Sequence, residues 1–274
     1  MTERPKPYIG VSGVVDTEQQ RFLLDQFAQQ NIDDARHLAL GVKVVHKTQY
    51  LDVANKYGPE WYPVGESALA SALEPYDRNS LRVAQVYFDV EHVGDEGYRN
   101  KFMERIRRRG AAWLTAVQFD MLPWHRDSKF LDFIENVKSE TGFKVLLQAH
   151  GEAMNELGPN DIVCKLGGYA SALDYILFDA SHGNGVQLDT HALRPFLEAA
   201  YNSNELSGVG IGIAGGLNAE VVRQDLPELL ADYPDLSWDA EGQLHPVGLD
   251  GKRPLDMEVT SRYLEASAAV LRSV

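Results

Sequence analysis

Residues that can transfer protons or bind a ligand follow short apolar runs along the whole chain. Their side chains are carboxylates, imidazoles, amides, amines and a hydroxyl, which enzymes use as acids, bases, hydrogen-bonding groups and metal ligands. The runs recur about every 32 residues, the length of one strand–helix unit. The candidates in chain order are Ser12, His46, Lys47, Asp89, Glu91, His92, Gln118, Asp120, His150, Glu152, Asp179, His182, Asp239 and Glu241.

Asp179 is the first candidate for a proton-transfer residue. It follows the apolar run 175–178, which is typical of a strand buried on both faces of a parallel sheet, and it precedes a glycine-rich loop. A carboxyl group on such a rigid support can act as a general acid or base. The alternative interpretation is an aspartate that only caps a turn.

Two glycine-containing segments could bind an anion. Glycine lets backbone N–H groups approach a ligand closely, and a helix N-terminus adds a positive dipole. Asn218 could begin the helix that follows the second segment. The alternative is two tight turns without a ligand. The candidate phosphate-binding residues are Gly183, Asn184, Gly185, Gly215 and Gly216.

The elements that would position these residues alternate regularly between strand and helix. Strands are predicted at 8–14, 37–45, 81–88, 112–119, 143–149, 175–178, 210–214 and 236–238. Helices are predicted at 17–30, 66–73, 97–109, 128–139, 160–166, from 190 onwards, 219–231 and 257–272. This alternation predicts an α/β fold, a (β/α)8 TIM barrel, as a single domain over residues 1–274. The active site of such a barrel lies at the carboxyl ends of its strands.

Composition and charge exclude several classes of partner. The net charge of −14 disfavours non-specific binding to nucleic acids and to anionic membranes. Cys164 is the one cysteine, which excludes an intrachain disulfide and a cysteine metal cluster. The first residues do not resemble a signal peptide, and no apolar run reaches the ~20 residues of a membrane span. We therefore expect a cytoplasmic protein that binds neither nucleic acid nor membrane.

Two segments resemble motifs of phosphoribosylanthranilate isomerase, a (β/α)8 barrel of tryptophan biosynthesis. Residues 183–189, G-N-G-V-Q-L-D, are similar to the family's G-T-G-x-x-F-D, and residues 214–218, A-G-G-L-N, match its A-G-G-L-N-x-x-N-V segment. A weaker likeness joins V-S-G at 11–13 to the family's I-C-G, and V-Q-F-D at 117–120 to its V-Q-L-H. The clear likeness covers about a fifth of the chain.

The resemblance implies an isomerase that works by general acid and base proton transfer. In the family, the aspartate that matches Asp179 is the general acid, and a cysteine at the position of Ser12 is the base. An unassisted serine hydroxyl is a poor base. A neighbour could therefore take over as the base, and the candidates by position are His46, Asp120 and His150. Ser12 could equally be a structural hydroxyl group or a hydrogen-bond donor to the ligand.

The resemblance also implies a phosphorylated sugar-like or other anionic small molecule as the substrate. The residues predicted to contact it are His46, Gln118, His150 and His182. Asp239 and Glu241, at the end of the eighth strand, would repel a phosphate group unless they are paired or turned away.

Two other interpretations remain open. The chain could be a relative that has lost the chemistry and only binds a ligand. It could also be a metal-assisted lyase or hydrolase, in which His46, His150 and His182 supply nitrogen ligands. For the favoured isomerase we predict no metal and no organic cofactor. The sequence leaves a homo-oligomer open.

Overall fold

Eight short apolar segments form parallel strands that close into a barrel in the described part of the chain. The computed structural model describes residues 3–56, 58–74, 80–110, 113–179, 188–248 and 251–273. Each strand pairs with its sequence neighbours, and the first strand pairs with the eighth through Ile9 and Trp238. The strands are β1 (Tyr8–Ser12), β2 (His37–Val45), β3 (Leu81–Tyr87), β4 (Ala116–Phe119), β5 (Lys144–His150), β6 (Tyr175–Asp179), β7 (Gly210–Ala214) and β8 (Ser237–Ala240).

A helix follows each strand and packs on the outside of the barrel. The helices are α1 (Thr17–Gln29), α2 (Gly65–Leu73), α3 (Glu96–Gly110), α4 (Lys129–Thr141), α5 (Gly151–Gly167), α6 (Thr190–Asn202), α7 (Ala219–Asp232) and α8 (Met257–Leu271). The predicted TIM-barrel fold is therefore confirmed. No helix among the described residues has both the length and the apolar character that crossing a membrane requires.

Most predicted bounds are correct to within two or three residues, and two elements differ more. The strand predicted from residue 112 begins at Ala116, four residues later. The helix predicted at 160–166 is the second half of α5, which already begins at Gly151. Gly158 has a φ of 72°, and Pro159 lacks a backbone N–H, so the helix is interrupted there. Because glycine and proline are typical of loops, this interruption explains why the sequence predicted only the second half of α5.

Side chains of strands β1 to β6 alternate between an outer and an inner apolar core. Residues such as Ile9, Val117 and Ile176 point outward and pack against the helices. Their neighbours at the starts of the strands point into the barrel and fill its amino-terminal half. This inner plug consists of Tyr8, Ala39, Leu81, Val83, Ala116, Leu146 and Tyr175. Among the described residues, this plug fills the amino-terminal end of the barrel and leaves the carboxyl ends of the strands as the side open to a ligand.

Short polar side chains fix where several helices begin. The Asn218 side chain accepts hydrogen bonds from the backbone N–H groups of Glu220 and Val221, and Asp189 accepts one from Ala192. The predicted helix starts at both residues are therefore confirmed. Asp256 caps α8 in the same way, and α8 packs against α1 and α7 as the barrel closes.

Replacing Asp256 with alanine should destabilise the closure of the barrel. Asp256 accepts hydrogen bonds at 3.0 Å and 2.9 Å from the N–H groups of Glu258 and Val259. Loss of such a cap costs ~1 kcal/mol of unfolding free energy, which urea titration followed by circular dichroism would measure. Glu265→Ala, at an exposed position of the same helix, is the control and should change stability by less than ~0.5 kcal/mol. Equal effects of the two substitutions would contradict the assignment of the cap.

Candidate functional site

The carboxyl-terminal half of the barrel interior is lined by polar side chains. Strands β3, β4 and β5 each carry an inward glutamine two residues before an inward polar residue at the strand end. The three pairs are Gln85 and Tyr87, Gln118 and Asp120, and Gln148 and His150. The sequence-based prediction includes only Gln118 of the three glutamines, and this Q-x-polar repeat is the signal that could have identified the other two.

These side chains surround a cavity of about 460 Å³ at the carboxyl ends of the strands. Of the residues predicted to form the site, Gln118, Asp120, His150, Asp179, Gly215 and Gly216 line it together. The predicted residues His182, Gly183, Asn184 and Gly185 lie outside the described residues. Lining residues that are not among the predicted site residues include Lys43, Trp61, Tyr62, Gln85, Tyr87, Gln148 and Arg253.

Asp120 is a buried carboxyl group on the wall of this cavity. Only 2% of the residue is exposed, and its Oδ1 atom accepts a hydrogen bond of 2.8 Å from Gln118 Nε2. Burial disfavours the charged form and raises the pKa of Asp120 to about 7, against the opposing effect of the Gln118 hydrogen bond. The negative charge of Glu241 raises this pKa further. The raised pKa allows Asp120 both to accept and to release a proton near neutral pH.

Asp179 is held by the third of the inward glutamines. Gln148 Nε2 donates a hydrogen bond of 2.9 Å to Asp179 Oδ2. Two hydrogen bonds fix Gln148 itself. Its side-chain oxygen accepts one from the Met121 N–H, and its backbone carbonyl accepts one from Trp124 Nε1 at 3.0 Å. The Asp179 carboxyl group is thus oriented from a rigid strand towards the cavity that Asp120 also lines.

Ser12 is part of a hydrogen-bonded chain inside the barrel. Its hydroxyl donates to the two carboxyl oxygens of Asp239 at 2.9 Å and 3.0 Å, and accepts from Gln85 Nε2 at 2.6 Å. Ser12 is 1% exposed and does not line the cavity that the described residues form. Asp239 does line it. Burial raises the pKa of Asp239 well above its usual range, and the Ser12 hydrogen bond opposes only part of this shift.

Glu241, the second carboxylate near the end of β8, has a cationic partner. Lys43, which is 3% exposed, forms an ion pair with Glu241. The Lys43 ammonium group also lies 4.0 Å from the centre of the Trp61 ring, in a cation–π arrangement. The repulsion expected between a phosphate group and these two carboxyl groups is therefore reduced, because Glu241 has a cationic partner and burial favours neutral Asp239.

An arginine and a glycine turn form the rim of the cavity beside β7 and β8. Gly215 and Gly216 have φ angles of 103° and 65°, the left-handed region that favours glycine. Arg253 donates from Nε to the His245 carbonyl and from Nη2 to the Gly242 carbonyl, each at 3.0 Å. This rim combines a guanidinium group with a glycine turn, which is a suitable environment for an anion.

Two predicted histidines have different surroundings. His150 lines the cavity, and its ring lies 5.2 Å from that of His125. His46 is absent from the cavity lining in the part of the chain that the structure describes. It stacks on Tyr50 and His92 and hydrogen-bonds the Tyr98 hydroxyl at 2.8 Å. This geometry favours a packing role for His46 over a ligand contact.

One group among the described residues has the spacing of a metal site, and it is separate from the cavity lining. Ligand atoms of Asp89, Glu91 and His92 lie within 4.8 Å of one another, on a loop where Glu91 and His92 are exposed. His92 Nδ1 already hydrogen-bonds Asp89 at 2.9 Å. These residues therefore add no metal ligand to the cavity.

Comparisons with protein-family models and with curated proteins find no match. Solved structures similar to the chain include tryptophan synthase subunit alpha from Legionella pneumophila str. Paris, at 13% identity and a TM-score of 0.56 over 98% of this chain and 94% of that one. Triosephosphate isomerase from Bartonella henselae has 11% identity and a TM-score of 0.51, and the match covers 98% of this chain and 100% of that one. Ribulose-1,5-bisphosphate carboxylase/oxygenase from Pyrococcus horikoshii OT3 has 14% identity and a TM-score of 0.55. The match covers 98% of this chain and 59% of that one. At these identities the similarity shows the TIM-barrel fold alone.

Replacing Asp120 with asparagine should stabilise the fold in a pH-dependent way. The pKa of about 7 in the folded state lies above the ~3.9 of an unfolded aspartate, so ionisation favours unfolding as the pH rises between these values. Asp120→Asn should gain unfolding free energy over the parent chain at about pH 8, and the gain should shrink towards about pH 5.

Urea unfolding at the two pH values measures this difference. Asp161→Asn is a suitable control because Asp161 is exposed on α5. The control should give the same small difference at both pH values. A pH-independent effect of Asp120→Asn would contradict the raised pKa.

Proposed function

We propose that this TIM barrel is an isomerase that moves a proton between neighbouring carbon atoms of a phosphorylated, sugar-like substrate. The observation that carries the proposal is the buried carboxyl group of Asp120, with a pKa of about 7, on the wall of the barrel-mouth cavity. A general base works best when its pKa is close to the working pH, because it must both accept and release the proton.

Asp120 and Asp179 divide the acid and base roles in this proposal. Asp120 removes the carbon-bound proton and returns it to the neighbouring carbon. Asp179 protonates the ring oxygen when the sugar ring opens, and Gln148 keeps its carboxyl group oriented. The resemblance to phosphoribosylanthranilate isomerase supports the role of Asp179. Ser12 does not line the cavity of the described residues, so the base role passes to Asp120.

The polar walls of the cavity favour a ligand with several hydroxyl groups. Gln85, Gln118 and Gln148 bring amide groups to the same interior, and such groups donate and accept hydrogen bonds with sugar hydroxyls. The aromatic rings of Trp61 and Tyr62 lie at the mouth, where they can cover an apolar face of the ligand.

The rim beside β7 and β8 would hold the phosphate group. Backbone N–H groups near Gly215 and Gly216, the start of α7 and the guanidinium group of Arg253 all favour negative charge there. The ion pair between Lys43 and Glu241 and the burial of Asp239 reduce the opposing carboxylate charge.

Deuterium exchange on a panel of candidate substrates tests the proposed chemistry. The protein is incubated in D2O with triose, pentose and hexose phosphates and with phosphoribosylanthranilate, and carbon-bound deuterium is measured by NMR and mass spectrometry. Asp120→Asn should slow exchange of the active compound by ~10²–10⁴-fold, and Asp179→Asn should do the same for a compound whose sugar ring must open, because neither amide can transfer the proton. Asp161→Asn should exchange at the parent rate.

Binding without exchange would instead favour the interpretation of a ligand-binding protein that lacks chemistry. An active protein whose Asp120→Asn variant exchanges at the parent rate would show that another residue is the base.

A matched pair of substitutions at Gly216 tests the phosphate site. Its φ of 65° lies in a region that aspartate and asparagine also tolerate, so both Gly216→Asp and Gly216→Asn should fold. The two side chains have nearly the same size and differ by one negative charge. A repulsion of ~1–2 kcal/mol would weaken the binding of inorganic phosphate by roughly 5- to 30-fold in the aspartate variant.

Phosphorus NMR or calorimetric titration with inorganic phosphate measures the two affinities. Equal affinities for the aspartate and asparagine variants would show that the anion binds elsewhere.

A further inference from the structure

Asp239 also lines the cavity, but it has no role in the proton transfers proposed above for Asp120 and Asp179. It belongs to β8 and lines the cavity with Asp120 and Asp179, although only 7% of the residue is exposed. Its carboxyl group lies against Gly10 of the neighbouring strand β1. A Cβ atom at Gly10 would lie 2.6 Å from Asp239 Oδ1, so the glycine leaves the space that this carboxyl group occupies.

The hydrogen bonds around Asp239 run in one direction. Gln85 Nε2 donates to the Ser12 hydroxyl oxygen, and the Ser12 hydroxyl donates its proton to Asp239. Asp239 is therefore the acceptor at the end of this chain. Ser12 Oγ lies 2.9 Å and 3.0 Å from the two oxygens of Asp239, and its single proton can bond fully to one of them at a time. The other oxygen can therefore carry a proton and donate it to a molecule in the cavity.

The distribution of charge favours a neutral Asp239. Lys43 is already paired with Glu241, and the Arg253 guanidinium group donates to two backbone carbonyls. Asp239 thus shares a buried interior with other acidic groups, and burial and the charges of Glu241 and Asp120 raise its pKa well above the usual range. A neutral carboxyl group is a hydrogen-bond donor, whereas an ionised one can only accept.

We propose that Asp239 is the proton donor to the carbonyl oxygen of the substrate, and that Ser12 positions it. This inference rests on the proposed isomerase function and adds a residue to it. As Asp120 removes the proton from the carbon beside the carbonyl, a carbon–carbon double bond forms and the carbonyl π electrons move to the oxygen. That oxygen takes the proton of Asp239.

The second half of the reaction reverses these transfers. Asp120 returns its proton to the former carbonyl carbon, and the hydroxyl group on the neighbouring carbon gives its proton to the Asp239 carboxylate. Both residues then have their starting protonation states, and no oxidant or other co-reactant is needed. A donor aimed at a developing negative charge in a water-poor cavity is among the larger contributions to catalysis.

Infrared spectroscopy tests the protonation state without any substrate. At neutral pH the parent chain should show the C=O stretching band of a protonated carboxyl group that is missing from Asp239→Asn. Asp235→Asn is the control, because Asp235 lies two residues before β8, at the opposite end of the barrel from the cavity, and pairs with Arg4. The control should retain the band. An Asp239 that is ionised at neutral pH would overturn the proposal.

The exchange assay tests the catalytic role. Asp239→Asn keeps the size and an acceptor for Ser12, yet it should slow exchange about 10²-fold or more because an amide cannot transfer a proton. Phosphate affinity should stay at the parent value. An exchange rate within a factor of about three of the parent would overturn the role of Asp239.

Ser12→Ala distinguishes a positioning role from a merely structural one. The Ser12 hydrogen bond lowers the pKa of Asp239, so its loss should raise that pKa and move the alkaline limb of the exchange rate to higher pH. A slower rate with an unmoved pH profile would contradict this role of Ser12. If the parent chain exchanges none of the compounds, the proposed isomerase function fails, and the infrared band alone then decides whether Asp239 is a neutral donor.

Discussion

Burial of carboxyl groups inside the barrel is the constraint on which the rest of the site depends. An ionised carboxylate loses several kcal/mol of favourable hydration when it enters a protein interior, so it must gain partners or hold a proton. Gln118 and Ser12 supply hydrogen bonds to two of these groups, and Lys43 supplies a positive charge to Glu241. The partners compensate only in part, which leaves Asp120 with a pKa suited to proton transfer. These incompletely compensated carboxyl groups thus lower the stability of the barrel at the site proposed for proton transfer.

The mouth of the barrel is connected to this interior through a few close contacts. Trp61, from the loop before α2, stacks on His245, from the loop after β8, with ring centres 5.2 Å apart. His245 Nε2 in turn hydrogen-bonds the Ser12 backbone carbonyl at 2.8 Å. A Cβ atom at Gly13 would clash with both rings, which explains a glycine with a φ of 91° there. A ligand at the mouth therefore contacts loops that are joined to the strand end carrying Ser12.

The sequence by itself determined the fold and much of the site's outline. Strands β2 and β7 have the predicted bounds, because a short apolar run between turn residues is a local signal. The starts of α6 and α7 follow from Asp189 and Asn218, whose caps involve residues two or three positions away. Asp120 and Asp179 are identifiable because they end apolar runs, and in a barrel all strand ends meet at one face.

Only the tertiary structure decided how these groups act on one another. Ser12 and Asp239 are 227 positions apart in sequence and become neighbours because β8 closes against β1. The same closure brings Lys43 to Glu241, so the sequence could not show that the carboxylate expected to repel a phosphate has a partner. The pKa of a carboxyl group depends on its burial and on such neighbours, which no local pattern records. Part of the site is therefore evident from the sequence, whereas the remaining lining residues and the protonation states of the carboxyl groups depend on the closed barrel.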